Sequence, residues 1–403
     1  MKKLISLILA VAMLFTLAAC GGNTDTDTGS KKDDAAEDKI KIGFICLHDE
    51  NSTYDLNFIN AVDEVAKKLN LGKDQVIIKK GVPEGAECYE AAVDLADAGC
   101  DIVFANSFGH EDHMIRAAKE FPEVQFCHAT GTKAHTEKLD NFHIAFASIY
   151  QGRFLAGIVA GMKLNEMIAD KKITANQAKI GYVGAMPYAE VKSGMTSFYL
   201  GARSVCPTAT IVVKYTNSWY DESKEMEYAN ALINDGCVLI SQHADSMGAP
   251  NACEKAGVPN VSYNGSTAAA CPETFLVSSR INWAPYYEYI IDCVKNNKKI
   301  DTDWSGDLES GSVELSELGK NVAEGTKEAI EAAKQKIING ELQVFATSTW
   351  KKDGKEMTSY KADVDTDAAF TGDTEVIKDG AFLESEFRSA PYFDIDIDGV
   401  TTK

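Results

Sequence analysis

The stretch His48-Asp49-Glu50-Asn51-Ser52-Thr53-Tyr54-Asp55 sets three acids, an imidazole, an amide, two hydroxyls and a phenol in eight positions directly after an apolar run. Groups of these types can ligate a metal, move protons, or hold a small polar molecule by hydrogen bonds. Five further segments have the same character: "NSFGHEDH" (106–113), "MPYAE" (186–190), "NSWYDE" (217–222), "HADSMG" (243–248) and "YNGST" (263–267). A metal site would draw on His110 and His113, which share a helix face at i, i+3, with His48 or Asp49 as a third ligand. A hydrolase would need a nucleophile with an orienting base. No G-x-S-x-G elbow occurs, and the serine of "YNGST" has no identifiable His and Asp beside it. A ligand-holding surface draws on all six segments at once. They are rich in Asn, Asp, Ser and aromatic residues and poor in Lys and Arg, which suits a polar, hydroxylated or heterocyclic ligand better than a phosphate. A dinucleotide turn of the G-x-G-x-x-G type is also missing.

What must position these segments is read from periodicity. Short apolar runs, "KIGFICL" (41–47), "QVIIKKGV" (75–82), "DIVFANS" (101–107) and "VQFCHAT" (124–130), alternate with stretches of helical spacing. The pattern then restarts with "KIGYVGA" (179–185), "TIVVKYT" (210–216), "VLISQHA" (238–244) and "NVSYNGS" (260–266). Alternation of this kind predicts parallel sheets with crossover helices, an α/β fold. "KIGF" and "KIGY", Gly99 and Gly236 in "AGCDIVF" and "DGCVLIS", and Val124 and Val261 recur in the same order at nearly one offset, which predicts two Rossmann-like lobes of one design. Each polar segment then sits outside the carboxyl end of a strand, where such sheets bind ligands. The late strand "TFLVSSRINW" (274–283) and the helix after it are expected to return to the first lobe, and "GSVELSEL" (311–318) and all that follows to complete the second. The expected boundaries are 39–147 plus 279–300 for the N-terminal lobe and 148–278 plus 301–403 for the C-terminal lobe, joined by a hinge crossed three times.

Residues 1–19, "MKKLISLILAVAMLFTLAA", carry Lys2 and Lys3 before an apolar region too short for a comfortable membrane span, and read as an export signal. Its ending, Leu17-Ala18-Ala19-Cys20, resembles a bacterial lipobox in which Cys20 is lipidated and anchors the mature chain outside the cytoplasm. Residues 20–38 contain no aromatic or branched aliphatic residue and read as a disordered tether. Nine further cysteines follow, an odd number that leaves at least one thiol unpaired, and no CxxC pair supports a thiolate metal or redox site. With 60 acidic against 40 basic residues the net charge is −20, which argues against nucleic acid as a partner.

The blocks "STYDLNFINAVDEVAKKL", "FASIYQGRFLAGIVAGMK", "GYVGAMPYAEVKSGMTSFYLGAR", "SWYDESKE" and "ISQHADSMGAP", in this order behind a lipobox and an acidic tether, resemble the basic membrane protein family, substrate-binding lipoproteins of ABC transporters similar to purine-nucleoside receptors. The resemblance implies a type I periplasmic-binding-protein fold whose lobes close on a purine nucleoside or base. The ligand would be passed to permease and ATPase subunits by a monomeric receptor that uses no cofactor and does no chemistry. It also implies residues. Tyr54 and Trp219 would be the two faces of an aromatic sandwich, and Asp245, in Gln242-His243-Ala244-Asp245-Ser246, would take a base N–H or else cap the helix that follows. Asn264 stands where many members carry a ribose-binding Asp, and Arg280 where they carry a lysine, which weakens the case for ribose. Asp49 and Asn51 are expected at the ligand's polar edge and Asp55 at a hydrogen bond or a helix cap. Asn106, Phe108 and Asn282 are included as strand-end positions. A receptor for a sugar or another small polar solute is the alternative.

Overall fold

A computed structural model of the chain describes residues 39–364, 369 and 371–403; the export signal, Cys20 and the tether lie outside the described residues. The first half runs β1 (Ile42–Ile45), α1 (Thr53–Lys68), β2 (Val76–Lys79), α2 (Ala86–Asp97), β3 (Ile102–Ala105), α3 (Glu111–Glu120), β4 (Gln125–Ala129), α4 (Ala134–Glu137) and β5 (Phe142–Ala147). The second runs α5 (Ile149–Ala169), β6 (Lys179–Gly184), α6 (Ala189–Val205), β7 (Thr210–Tyr215), α7 (Glu222–Asn234), β8 (Leu239–His243), α8 (Gly248–Ala256), β9 (Asn260–Tyr263) and β10 (Phe275–Ile281). Then come α9 (Ala284–Lys295), β11 (Asp303–Gly306), β12 (Val313–Leu315) and α10 (Thr326–Ile338). The two-residue strands β13 (Lys361–Ala362), β14 (Thr374–Glu375), β15 (Ile377–Lys378) and β16 (Ala381–Phe382) precede β17 (Val400–Thr402).

While β13 pairs with β14 and β15 with β16 as two small antiparallel pairs, the other strands form two main sheets of one topology. The first has the order β2-β1-β3-β4-β5-β11, all parallel, and the second β7-β6-β8-β9-β10, with β17 parallel on one edge and β12 antiparallel on the other. The repeated tetrapeptides have a packing reason. A Cβ on Gly43 would stand 2.8 Å from Leu95 of α2, and one on Gly181 2.9 Å from Leu232 of α7, so each glycine lets a helix settle on the central strand. Gly99 and Gly236, at φ +80° and +84°, end α2 and α7 in the left-handed conformation that glycine adopts without strain. Helix α1 shows the local logic of the helices. Ser52 Oγ accepts from Asp55 N, Lys67 and Lys68 stand in the last turn, and Phe58, Ala61, Val62 and Val65 recur on one buried face.

The lobe assignment of the late strand differs from the expectation. β10 pairs in parallel with β9, with Ser278 opposite Ser262 and Ser279 opposite Tyr263, so it is the second-lobe counterpart of β5. Only α9 and β11 return to the first lobe: Tyr287 packs its ring 5.0 Å from Phe44, and β11 adds a sixth strand beside β5. The strand segment 279–281 therefore belongs to the C-terminal lobe and 303–306 to the N-terminal one. Apolar periodicity marks a strand but not its sheet, which is why the sequence misplaces both.

The chain crosses between the sheets at Ser148, at Asn282–Trp283 and at 307–312. The crossings lie side by side, with Ser148 N donating to Gly306 O and Asn282 N to Ser312 O. Trp283 fixes one of them to the first-lobe core by stacking on Phe58 at 4.6 Å. Helix α5 packs closely on α6, where a Cβ on Gly157 would meet Phe198 O at 2.0 Å and one on Gly201 would meet Phe154 O at 2.0 Å. Beyond α10 the chain wraps the second lobe around a cluster in which Phe345 stacks on Phe393 at 4.4 Å, before β17 pairs with β7. Among the described residues no helix is long and apolar enough to cross a membrane. The nine described cysteines are buried free thiols.

Candidate functional site

The strand ends of the two lobes face each other across a small cavity. Leu47, Tyr54, Ser107, Phe108 and Thr130 line it from the first lobe, and Glu190, Trp219, His243, Asp245 and Tyr263 from the second.

On the first-lobe wall Asp55 is fully buried. Its Oδ1 accepts from His48 N at 3.1 Å and from Asn106 Nδ2 at 2.7 Å, and its Oδ2 lies 3.5 Å from His48 Nδ1. Burial pushes this carboxyl up, but the bonds from His48, Asn106 and Ser52 outweigh it and hold the group below its usual range. Asn106 in turn accepts from Leu47 N, and its carbonyl receives the Tyr54 hydroxyl at 2.6 Å. Asp55 and Asn106 are thus the frame that orients Tyr54. Thr130 sits at φ +64°, a strained conformation for a β-branched residue, and its buried hydroxyl has no partner.

The second-lobe wall is acidic and aromatic. Asp245 is held through its backbone, its N donating to Trp219 O at 3.0 Å and its carbonyl receiving Thr53 N at 2.9 Å. Its side chain caps no helix, since α8 begins at Gly248 after Met247. Burial, then the charges of Asp55, Glu225 and Glu190, push its carboxyl well above the usual range. His243 lies face to Tyr263 with ring centroids 4.0 Å apart, and its Nε2 is 3.6 Å from Glu190 Oε1. Both His243 ring nitrogens and the Tyr263 hydroxyl are buried without a hydrogen bond. Buried polar atoms are almost always satisfied. Orphans on both walls, converging on one cavity, are what a polar ligand would complete. Beneath this wall the fully buried Arg153 donates to Tyr182, Ser241 and Ser279 side chains and to the Ser262 and Gln242 carbonyls, fixing the strand ends.

The lobes also touch directly. Besides Thr53 on Asp245, Asn57 Nδ2 donates to Asn264 Oδ1 at 2.8 Å, and His48 lies 5.3 Å from Tyr220, ring to ring. On the other side of the cavity Phe108 meets Tyr188 at 5.9 Å, and Tyr188 meets Trp219 at 6.1 Å.

Of the residues expected from the sequence, Tyr54, Phe108, Trp219 and Asp245 line the cavity, Asp55 and Asn106 support it, and Asn264 bridges the lobes. Asp49 and Asn51 are exposed on an outer depression beside Lys80 and Tyr220, and bond to each other. Two residues fall elsewhere. Arg280 is ion-paired with Glu314 at 2.6 Å on the β10–β12 edge, and Asn282 opens α9 by accepting from Ala284 N. Both follow from β10 pairing within the second sheet. Glu190, His243, Tyr263 and Thr130 were not singled out, although "MPYAE", "HADSMG", "YNGST" and "VQFCHAT" contain them. Of the residues a metal site would draw on, His110 is engaged elsewhere, its Nε2 lying 3.0 Å from Val82 O.

Comparison with known proteins agrees with this geometry. Residues 45–348 match the Bmp family, described as ABC transporter substrate-binding protein PnrA-like. A purine-binding protein of Brucella abortus is 32% identical over 80% of this chain and 87% of its own length. A putative ABC transporter glucose-binding protein of Haloferax volcanii is 34% identical over 65% of this chain and 63% of its own. Among solved structures, an ABC transporter solute-binding protein of Aeropyrum pernix superposes with a TM-score of 0.62 at 18% identity, covering 76% of this chain and 93% of that one.

Proposed function

Because the chain belongs to the PnrA-like family of ABC transporter substrate-binding proteins, extracytoplasmic proteins that bind and do not transform their ligand, we propose that its interlobe cavity captures a purine base or nucleoside. The observation that carries this reading is the convergence of orphaned polar atoms and Asp245 on a cavity walled by Tyr54, Phe108, Trp219 and Tyr263. Aromatic faces suit a flat heterocycle, each contact contributing on the order of 1 kcal/mol beyond burial. A carboxyl held toward its neutral form donates one hydrogen bond and accepts another, which complements the adjacent donor and acceptor on a purine edge.

The three adjacent crossings would act as the hinge, and the Thr53–Asp245 and Asn57–Asn264 bonds would hold the closed form. A monomeric receptor tethered through a lipid on Cys20 would present that form to a permease driven by an ATPase. Calorimetric titration of the mature protein with adenine, hypoxanthine, adenosine, inosine, guanosine and glucose tests the reading. Purine binding weakened at least tenfold by Trp219→Ala is expected, a loss of about 1.4 kcal/mol. The Haloferax relative favours a second reading, a sugar receptor. Tight glucose binding with no response to any purine would decide for it.

A further inference from the structure

A second, roomier chamber of about 160 Å³ opens from the cavity, sharing Phe108, Thr130, Glu190 and Trp219 with it. Its outer wall is Arg388, Ala390 and Pro391, from the segment beyond residue 348 where the family match ends. This segment is fastened to both lobes. Ser193 Oγ of α6 donates to the buried Glu384 at 2.5 Å, and Ser389 N donates at 3.0 Å to Asp303 Oδ2, on β11 of the first lobe. The same Asp303 oxygen lies 3.0 Å from His135 Nε2, so the anchor point is itself braced. Arg388 is held from behind, with Nε donating to Ala390 O at 3.3 Å and Nη1 to Asp363 O at 3.1 Å. Its Nη2 donates to no described residue. A guanidinium carries five N–H donors in a rigid fork, so two bonds to carbonyls aim the rest without using them.

We propose that this chamber is a second ligand subsite, in which Arg388 donates to a neutral, hydroxyl-bearing substituent on the heterocycle held in the inner cavity. The inference rests on the purine reading of that cavity. Glu190 borders both chambers, so a phosphorylated substituent would set like charges against each other, whereas hydroxyls can accept from Arg388 and donate to Glu190. Arg280, the cation that the family resemblance places near the ligand, is already committed to Glu314.

Titrating wild type, Arg388→Ala and Arg388→Lys with adenine, adenosine and adenosine monophosphate tests it. Wild type should bind adenosine, and the monophosphate more weakly. Arg388→Ala should leave adenine affinity within twofold and weaken adenosine at least fivefold, with Arg388→Lys between. Equal losses for adenine and adenosine, no loss for either, no adenosine binding by wild type, or Arg388-dependent preference for the monophosphate would each overturn the proposal. Failure of wild type to bind any purine base or nucleoside would instead overturn the purine reading, and this subsite with it.

Discussion

The Asn57–Asn264 bond offers a test of closure that touches neither the fold nor the ligand's aromatic faces. Asn57 is 4% exposed and Asn264 1%, and their bond of 2.8 Å joins α1 of one lobe to the end of β9 in the other. Asn57→Ala removes the donor. In the closed form Asn264 Oδ1 is then buried without a partner, which costs about 1–3 kcal/mol, while in the open form water satisfies it. The closing equilibrium therefore shifts by roughly 5- to 150-fold toward open, and ligand affinity falls by up to the same factor where only the closed form holds the ligand. The assay is titration and stopped-flow release of whichever purine wild type binds most tightly, beside urea unfolding of the ligand-free proteins. Faster release with unfolding stability preserved is the expected pair of results. Affinity within twofold of wild type would refute the latch. A loss of affinity matched by an equal loss of unfolding stability would show that Asn57 is a core residue instead.

Two further outcomes follow from burial. Glu225 is fully buried, and burial raises its carboxyl to about 7 against hydrogen bonds from Ser246 and Asp221. The folded-state value is raised, so stability from this group is present at acid pH and is lost as pH rises from about 4.5 through 7, by up to about 3 kcal/mol. Glu225→Gln, which imitates the protonated acid, should flatten that fall in urea unfolding followed from pH 5 to 8; an unchanged slope would mean the carboxylate is already well solvated. Gly157→Ala would place a methyl 2.0 Å from Phe198 O and 2.9 Å from Ala202 N, backbone atoms that cannot swing aside. Overpacking of about 3 kcal/mol should exceed the gain of about 1 kcal/mol in helix propensity, so the midpoint of urea unfolding should drop; a rise would mean that α5 and α6 separate at little cost.

How far the site could be read in advance depended on the kind of position. Tyr54, Phe108, Trp219 and Asp245 lie just past apolar runs, and a parallel sheet brings such positions to one edge whatever the details of packing. His243, Tyr263 and Thr130 lie at strand ends and Glu190 at the start of α6, but nothing local distinguishes a residue facing the cavity from a neighbour facing a helix. Tyr188 and Glu190 are two positions apart in one polar segment, yet Tyr188 is 47% exposed beside Phe108 while Glu190 faces His243. Arg280 and Asn282 were misread for a different reason, since their surroundings depend on which sheet β10 joins.

By itself the sequence determined the α/β grammar, the duplication marked by Gly43 and Gly181 and by Gly99 and Gly236, and the set of polar segments from which a cleft would be built. Apart from the packing of Gly43 and Gly181 against helices, these are local properties, fixed by side-chain periodicity and by the left-handed backbone that Gly99 and Gly236 adopt freely. Tertiary structure alone decided that β10 stays in the second sheet while β11 returns to the first, that Asn57 meets Asn264, and that Arg388 walls a second chamber. Each of these is a contact between residues far apart in the chain, set by strand pairing and interlobe packing, and no local pattern encodes it.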